Sequence, residues 1–117
     1  MKKDTCNACT YHYSKAINGK NIRVMYDGGL GFVMCETDDE SLDSYASCLS
    51  VDEGHRKKGL GTLLMDAIED AARDESMKTM TLDVEKGAEP WLAEWYVSRG
   101  YRKIEESEYY VTYRKTL

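Results

Sequence analysis

The stretch that decides the fold is VDEGHRKKGLGTLL, residues 51–64. It contains Gly59 and Gly61, which permit a ligand to approach the backbone closely, and three adjacent cations at positions 56–58. A helix is predicted directly after Gly59, and the unpaired N–H groups and dipole of its first turn favour an anion. Because the whole chain is acidic, with a net charge of -5, this basic loop at 55–64 indicates a bound phosphate.

Two common phosphate-binding motifs are excluded. No Gly-Lys-Ser/Thr follows at the P-loop spacing, and only Gly59-Leu60-Gly61 remains of the dinucleotide fingerprint. Taken alone, the loop is explained equally well as a solvated turn with ordinary glycines.

Hydrophobic periodicity predicts the elements around the loop. Apolar residues recur with a 3.6-residue period from Leu60 to Ala72, which is typical of an amphipathic helix. A second helix is predicted from Glu89-Pro90 to Gly100, since Pro is tolerated in a first turn and Gly is common just after a helix. Residues 1–20 are polar and are expected to be irregular. Strands are predicted at 22–26, 30–36, 44–51, 79–85, 101–104 and 109–114, with a tight hairpin at 27–29.

Composition limits the class of protein. At 117 residues the chain is one domain, and its net negative charge argues against binding nucleic acid through phosphate neutralisation. No apolar run approaches membrane-spanning length and the first residues are polar, so we expect no membrane association and a cytoplasmic location. Cys6-x-x-Cys9-x-x-His12 has the spacing of half a zinc site, but no second pair is evident, and no metal is expected.

Two motifs in order resemble those of the GNAT N-acetyltransferase superfamily. Residues 56–61, RKKGLG, match the family's [Arg/Gln]-x-x-Gly-x-[Gly/Ala] pattern, and residues 95–101, WYVSRGY, are similar to its Phe-Tyr-x-x-x-Gly-Phe helix ending. The resemblance covers roughly residues 22–117. It implies an α+β fold with a central, mostly antiparallel sheet, splayed middle strands and two main helices.

The resemblance also implies acetyl-coenzyme A as co-substrate. The pantetheine arm is then expected beside Leu49, Ser50 and Val51, and Glu89 stands where the family often has an Asn that contacts this arm. The residues expected to hold the pyrophosphate through their backbone N–H groups are Arg56, Lys57, Lys58, Gly59, Leu60, Gly61 and Thr62.

Tyr96 occupies the family's usual general-acid position. A phenol stays protonated at neutral pH and can donate to the leaving thiolate, although a purely packing role beside the sulfur is the alternative. The attacking amine needs a base or a water relay: Glu36 is a candidate base, and Ser47 and Ser50 are candidates to hold a water. His55 titrates near neutrality, but it is expected beside the pyrophosphate end, where a loop or surface role is favoured.

The chain departs from the family before residue 22. The family begins with a strand and two helices that wall the acceptor site, and twenty residues cannot hold all three. We therefore expect either an open acceptor groove or a partner subunit that fills the gap, and the exposed sheet edge left by a missing strand favours a homodimer. The acidic run at 36–43 either attracts a cationic small-molecule or peptide amine or is simply solvated. The alternative to an enzyme is a non-catalytic acyl-coenzyme A binding module or a complex subunit.

Overall fold

The structure is a computed structural model that describes residues 13–26, 31–51 and 59–117. These ranges form seven strands and two helices. In chain order they are β1 (Tyr13–Asn18), β2 (Asn21–Tyr26), β3 (Gly31–Asp38), β4 (Asp43–Val51), α1 (Leu60–Asp74), β5 (Thr79–Glu85), α2 (Pro90–Ser98), β6 (Arg102–Glu106) and β7 (Tyr110–Thr116).

The strands form one sheet in the order β1-β2-β3-β4-β5-β7-β6. Every neighbouring pair is antiparallel except β4 and β5, which run parallel and are joined by the α1 crossover. The predicted fold class, α+β with a mostly antiparallel sheet and two helices, is confirmed.

Helix α1 forms because its apolar stripe has a surface to cover. Leu64 and Ile68 are fully buried, and the helix packs on β2, β3 and β4. The buried residues that face it from these strands include Ile22, Val24, Val33 and Cys35. This helix and the strands beneath it form the core that fixes the start of α1 relative to the end of β4.

Helix α2 lies beside α1 and is joined to it through a buried carboxylate. Glu69 of α1 accepts hydrogen bonds from Tyr101 Oη and Lys115 Nζ, each at 2.8 Å. Arg99, directly after α2, lies 3.3 Å from the same carboxylate and 2.7 Å from Asp66. The cluster therefore ties α1 to the end of α2 and to β7.

The structure corrects the prediction for the N-terminal region. Residues 13–18 form a regular strand rather than irregular chain. This strand, β1, pairs at the sheet edge where the prediction from the sequence had no strand. Its residues from Lys15 onward are exposed, so it lacks the apolar alternation by which a strand is recognised. The homodimer was expected because a missing strand would expose the edge of the sheet. Since β1 is present at that edge, this reason no longer holds, and the homodimer stays a prediction.

Strand β6 is also shifted from its predicted position at 101–104. It runs from Arg102 to Glu106, so Glu105 and Glu106 belong to the strand and not to the turn before β7. All five residues are exposed, because β6 is the other edge of the sheet and an edge strand need not alternate.

Strand β1 leads straight into β2 through Gly19 and Lys20. Two residues cannot hold a helix, so no helix separates the first two strands. Among the described residues, the sheet face opposite α1 and α2 is left without a helical cover. Neither helix in the described ranges is long and apolar enough to span a membrane.

Candidate functional site

The sheet opens between its two parallel strands. Strands β4 and β5 pair only at Asp43↔Thr79, Ser44↔Met80 and Tyr45↔Thr81. Beyond that point β4 continues to Val51 and β5 to Glu85 without pairing to each other. The predicted splay of the middle strands is confirmed, and it leaves part of one β4 edge without a strand partner.

A β-bulge explains why β4 turns away. Its partner β3 pairs Phe32 with Ser50 and Met34 with Ser47, so β4 carries two residues opposite one residue of β3. A bulge of this kind bends the strand and increases its local twist. The bulge lies just past the last β4–β5 pair, where the strands separate.

Helix α1 begins at the carboxyl-terminal side of this opening. Gly59 precedes it with φ 85°, in the left-handed region, and no side chain caps the first turn within the described residues. The first turn contains no acidic residue, so its dipole is not offset locally. These features fit an anion site at the start of α1.

The predicted donor-site residues fall partly within the described ranges. Leu49 is half-buried and packs against the core, Ser50 is exposed, and Val51 pairs with Gly31. Leu60 is buried and Thr62 is exposed at the start of α1. The residues that lie outside the described ranges are His55, Arg56, Lys57 and Lys58, together with Cys6, Cys9 and His12. No group of His, Cys, Asp and Glu side chains within the described residues could hold a metal ion.

The structure brings the two sequence motifs together. A β-carbon placed on Gly61 would lie 3.7 Å from Trp95 Cη2, so the first turn of α1 is in contact with α2. The Trp95 and Tyr96 rings lie 5.0 Å apart, and the Arg99 guanidinium lies over the Trp95 ring at 5.6 Å. Tyr96 is therefore held close to the helix start that carries the glycine motif.

Tyr96 is chemically suited to donate a proton. Its side chain is buried and its ring meets the Tyr101 ring edge-on, with centroids 5.6 Å apart. Burial raises the pKa of the Tyr96 phenol to about 12, because phenolate is disfavoured away from water, and the charge of Arg99 offsets only part of this rise. The phenol is therefore protonated at neutral pH.

Glu89 lies at the N-cap position of α2, exposed and without a side-chain hydrogen bond to the helix. It borders a depression of about 380 Å³ whose other lining residues come from β5, the β5–α2 connection, α2, β6 and β7. These elements place Glu89 beside β7, on the side of β5 that faces away from β4. The described contacts do not bring it together with Leu49, Ser50 or Val51.

A polar pair at the opening was missed by sequence reasoning. Tyr45 Oη donates a 2.6 Å hydrogen bond to Asp83 Oδ2, and Thr112 Oγ1 donates to the other carboxylate oxygen. The hydrogen bond to Asp83 raises the pKa of Tyr45 to about 12, with further contributions from burial and from the Asp83 charge. Strand alternation places each residue on a sheet face, but it does not show that β4 lies beside β5. Glu36, a sequence candidate for the base, is exposed and is the cross-strand neighbour of Tyr45.

Gly59→Ala is expected to destabilise the fold by about 1–2 kcal/mol, because a β-carbon is disfavoured at a left-handed φ. Urea unfolding measures this. Gly87→Ala is the matched control, since Gly87 lies outside the left-handed region and has open space around it, so a change within about 0.5 kcal/mol is expected. Equal effects of the two substitutions would contradict the strained start of α1.

Comparison of the sequence with family models identifies a family. The model of the acetyltransferase (GNAT) family matches residues 9–101, which is most of the chain. No sequence among the curated proteins matches the chain.

Solved structures share the fold at low sequence identity. An inferred acyl-CoA N-acyltransferase from Klebsiella pneumoniae superposes with a TM-score of 0.80 at 16% identity, covering 92% of this chain and 98% of that one. A GNAT-family acetyltransferase from Staphylococcus aureus superposes with a TM-score of 0.74 at 16% identity, covering 86% of this chain and 70% of that one. The PaiA N-acetyltransferase from Thermoplasma acidophilum, solved with coenzyme A, superposes with a TM-score of 0.71 at 13% identity, covering 83% of this chain and 60% of that one.

Proposed function

The chain belongs to the GNAT acetyltransferase family, and from that premise we propose that it transfers an acetyl group from acetyl-coenzyme A to a primary amine. One observation carries the proposal. The sheet opens between β4 and β5, beside the start of a helix that contacts the Trp95–Tyr96 pair. An opening of this kind leaves β4 peptide groups unpaired by β5 for an extended arm, with a helix start that favours an anion at one end and a protonated phenol nearby.

The donor is bound along β4 and the start of α1. Beyond Tyr45 the β4 edge has no β5 partner, so its peptide groups are available to an extended pantetheine arm beside Leu49, Ser50 and Val51. The pyrophosphate lies on the N–H groups of residues 56–62, where the helix dipole and three basic side chains favour an anion. The coenzyme A bound to the Thermoplasma acidophilum protein, which shares the fold, supports this assignment.

The reaction is a direct attack on the thioester. The acceptor ammonium first loses a proton, and its nitrogen then forms a bond to the carbonyl carbon while the carbon–sulfur bond breaks. A backbone N–H near Leu49 or Ser50 polarises the carbonyl oxygen. Tyr96 gives its proton to the departing thiolate, and the proton lost by the new amide nitrogen restores the phenol. The products are an N-acetyl amine, coenzyme A and one proton.

Two measurements on the purified protein test this proposal. Titration calorimetry measures coenzyme A binding, and a thiol-release assay with acetyl-coenzyme A is run across polyamines, lysine peptides and peptides with a free amino terminus. Binding with thiol release that depends on the amine is expected. Binding without release on any amine would instead identify a non-catalytic acyl-coenzyme A module, and failure to bind coenzyme A would overturn the donor site itself.

A further inference from the structure

We propose that Asp83, held in place by Tyr45 and Thr112, binds the ammonium group of the acceptor at the point where β4 and β5 separate. The inference rests on the proposed function and names its acceptor as a cationic primary amine.

The Tyr45–Asp83 pair lies where β4 and β5 separate. Tyr45↔Thr81 is the last pair between the two strands, and Asp83 follows Thr81 by two residues on the same face. The 2.6 Å hydrogen bond from Tyr45 to Asp83 therefore crosses between β4 and β5 where their backbone pairing ends. An acyl group carried into the opening along β4 would approach this bridge.

The pair is accessible to a substrate from solvent. Tyr45 is 42% exposed and Met25, on the same face, is 41% exposed, and neither described helix covers this face. Helices α1 and α2 pack on the opposite face, where the anion site at the start of α1 also lies. A donor held from the helix side leaves the opposite face, which no helix of the described ranges covers, for the second substrate.

The Asp83 carboxylate keeps free hydrogen-bond acceptor capacity. Tyr45 and Thr112 each donate to a different oxygen of Asp83, which fixes the plane of the carboxylate. A carboxylate has about four acceptor positions, so both oxygens keep a lone pair for an ammonium N–H. Arg114, a cation on this face, donates to Thr81 Oγ1 at 2.8 Å and lies 3.8 Å from Asp43. Asp83 is thus a fixed anion at an exposed opening.

The test compares Asp83→Asn with Glu85→Gln in steady-state acetylation of spermidine and of a peptide with a single lysine. Glu85 is the matched control, because it is the next exposed carboxylate on the same face of β5. Asp83→Asn is expected to raise KM for both ammonium acceptors by about 10- to 100-fold, the usual range for loss of a hydrogen bond to a charged group. Tyr45→Phe is expected to raise KM less than Asp83→Asn does, and Glu85→Gln is expected to leave KM unchanged.

Two further measurements distinguish a loss of ammonium binding from a general disruption of the protein by Asp83→Asn. Coenzyme A affinity of Asp83→Asn, measured by calorimetry, is expected to equal that of the wild type, and acetylation of aniline, which is uncharged at neutral pH, is expected not to depend on Asp83. Equal effects of Asp83→Asn and Glu85→Gln, or no effect of either, would overturn this inference while leaving the acetyltransferase proposal intact. Thiol release by the wild type with none of the amines would overturn both.

Discussion

Tyr96→Phe is expected to lower kcat by about 10²- to 10⁴-fold, the usual loss on removing a general acid. The substitution deletes one hydroxyl and keeps the ring that packs against Trp95 and Tyr101, so the fold is expected to survive. Without the phenol the thiolate must leave unprotonated or take its proton from water. Steady-state kinetics with acetyl-coenzyme A measures the loss, and calorimetry is expected to show unchanged coenzyme A affinity.

Tyr109→Phe is the matched control for this loss. Tyr109 is 69% exposed, so deletion of its hydroxyl is expected to leave kcat unchanged. Because the pKa of Tyr96 is raised to about 12, any fall in wild-type kcat at moderately alkaline pH must come from another group, and Tyr96→Phe is expected to keep the same fall. A Tyr96→Phe enzyme as fast as Tyr109→Phe would remove Tyr96 from the mechanism and leave it a packing role.

Glu69→Ala is expected to destabilise the protein by about 3–5 kcal/mol, the cost of removing one partner from a buried charge cluster. The Glu69 side chain is 3% exposed, and its loss leaves Lys115 and the Tyr101 hydroxyl without the acceptor that the structure gives them. Arg99 keeps its bond to Asp66, which favours the lower end of the range. Urea unfolding of wild type and variant measures the difference.

Asp70→Ala is the matched control for Glu69→Ala, because it removes a carboxylate of the same helix that is exposed instead of buried. Asp70 is the next residue of the same helix and pairs with Arg73, but its side chain is 71% exposed. Pairs of this kind contribute only about 0.2–0.5 kcal/mol, so the substitution is expected to be nearly neutral. Equal losses for the two variants would mean that the Glu69 cluster is no more important than a surface ion pair.

The central part of the fold could be predicted because its elements carry one strong pattern each. The apolar stripe of α1 needs a sheet face to cover it, and the buried strands between 22 and 51 and at Thr79–Glu85 supply that face. Edge strand β1 was not predicted, and edge strand β6 was predicted with shifted bounds. A strand that is exposed on both faces shows no apolar alternation in its sequence. Local periodicity is therefore informative only where burial imposes it.

The candidate site could be predicted where a motif lies within one segment. The glycine motif and the Tyr96 motif were each visible in the sequence, and the contact between Gly61 and Trp95 supports their common role. The Tyr45–Asp83 bridge was not visible, because it depends on the parallel pairing of β4 and β5 and on where that pairing stops. Two residues 38 positions apart become neighbours only through tertiary structure.

The most direct test of the account is a crystal structure of the protein with coenzyme A bound. We expect an extended pantetheine arm between β4 and β5, hydrogen-bonded to the β4 backbone beyond Tyr45, with the thiol sulfur within hydrogen-bonding distance of Tyr96 Oη. A closed β4–β5 pairing with coenzyme A bound elsewhere on the protein would contradict it.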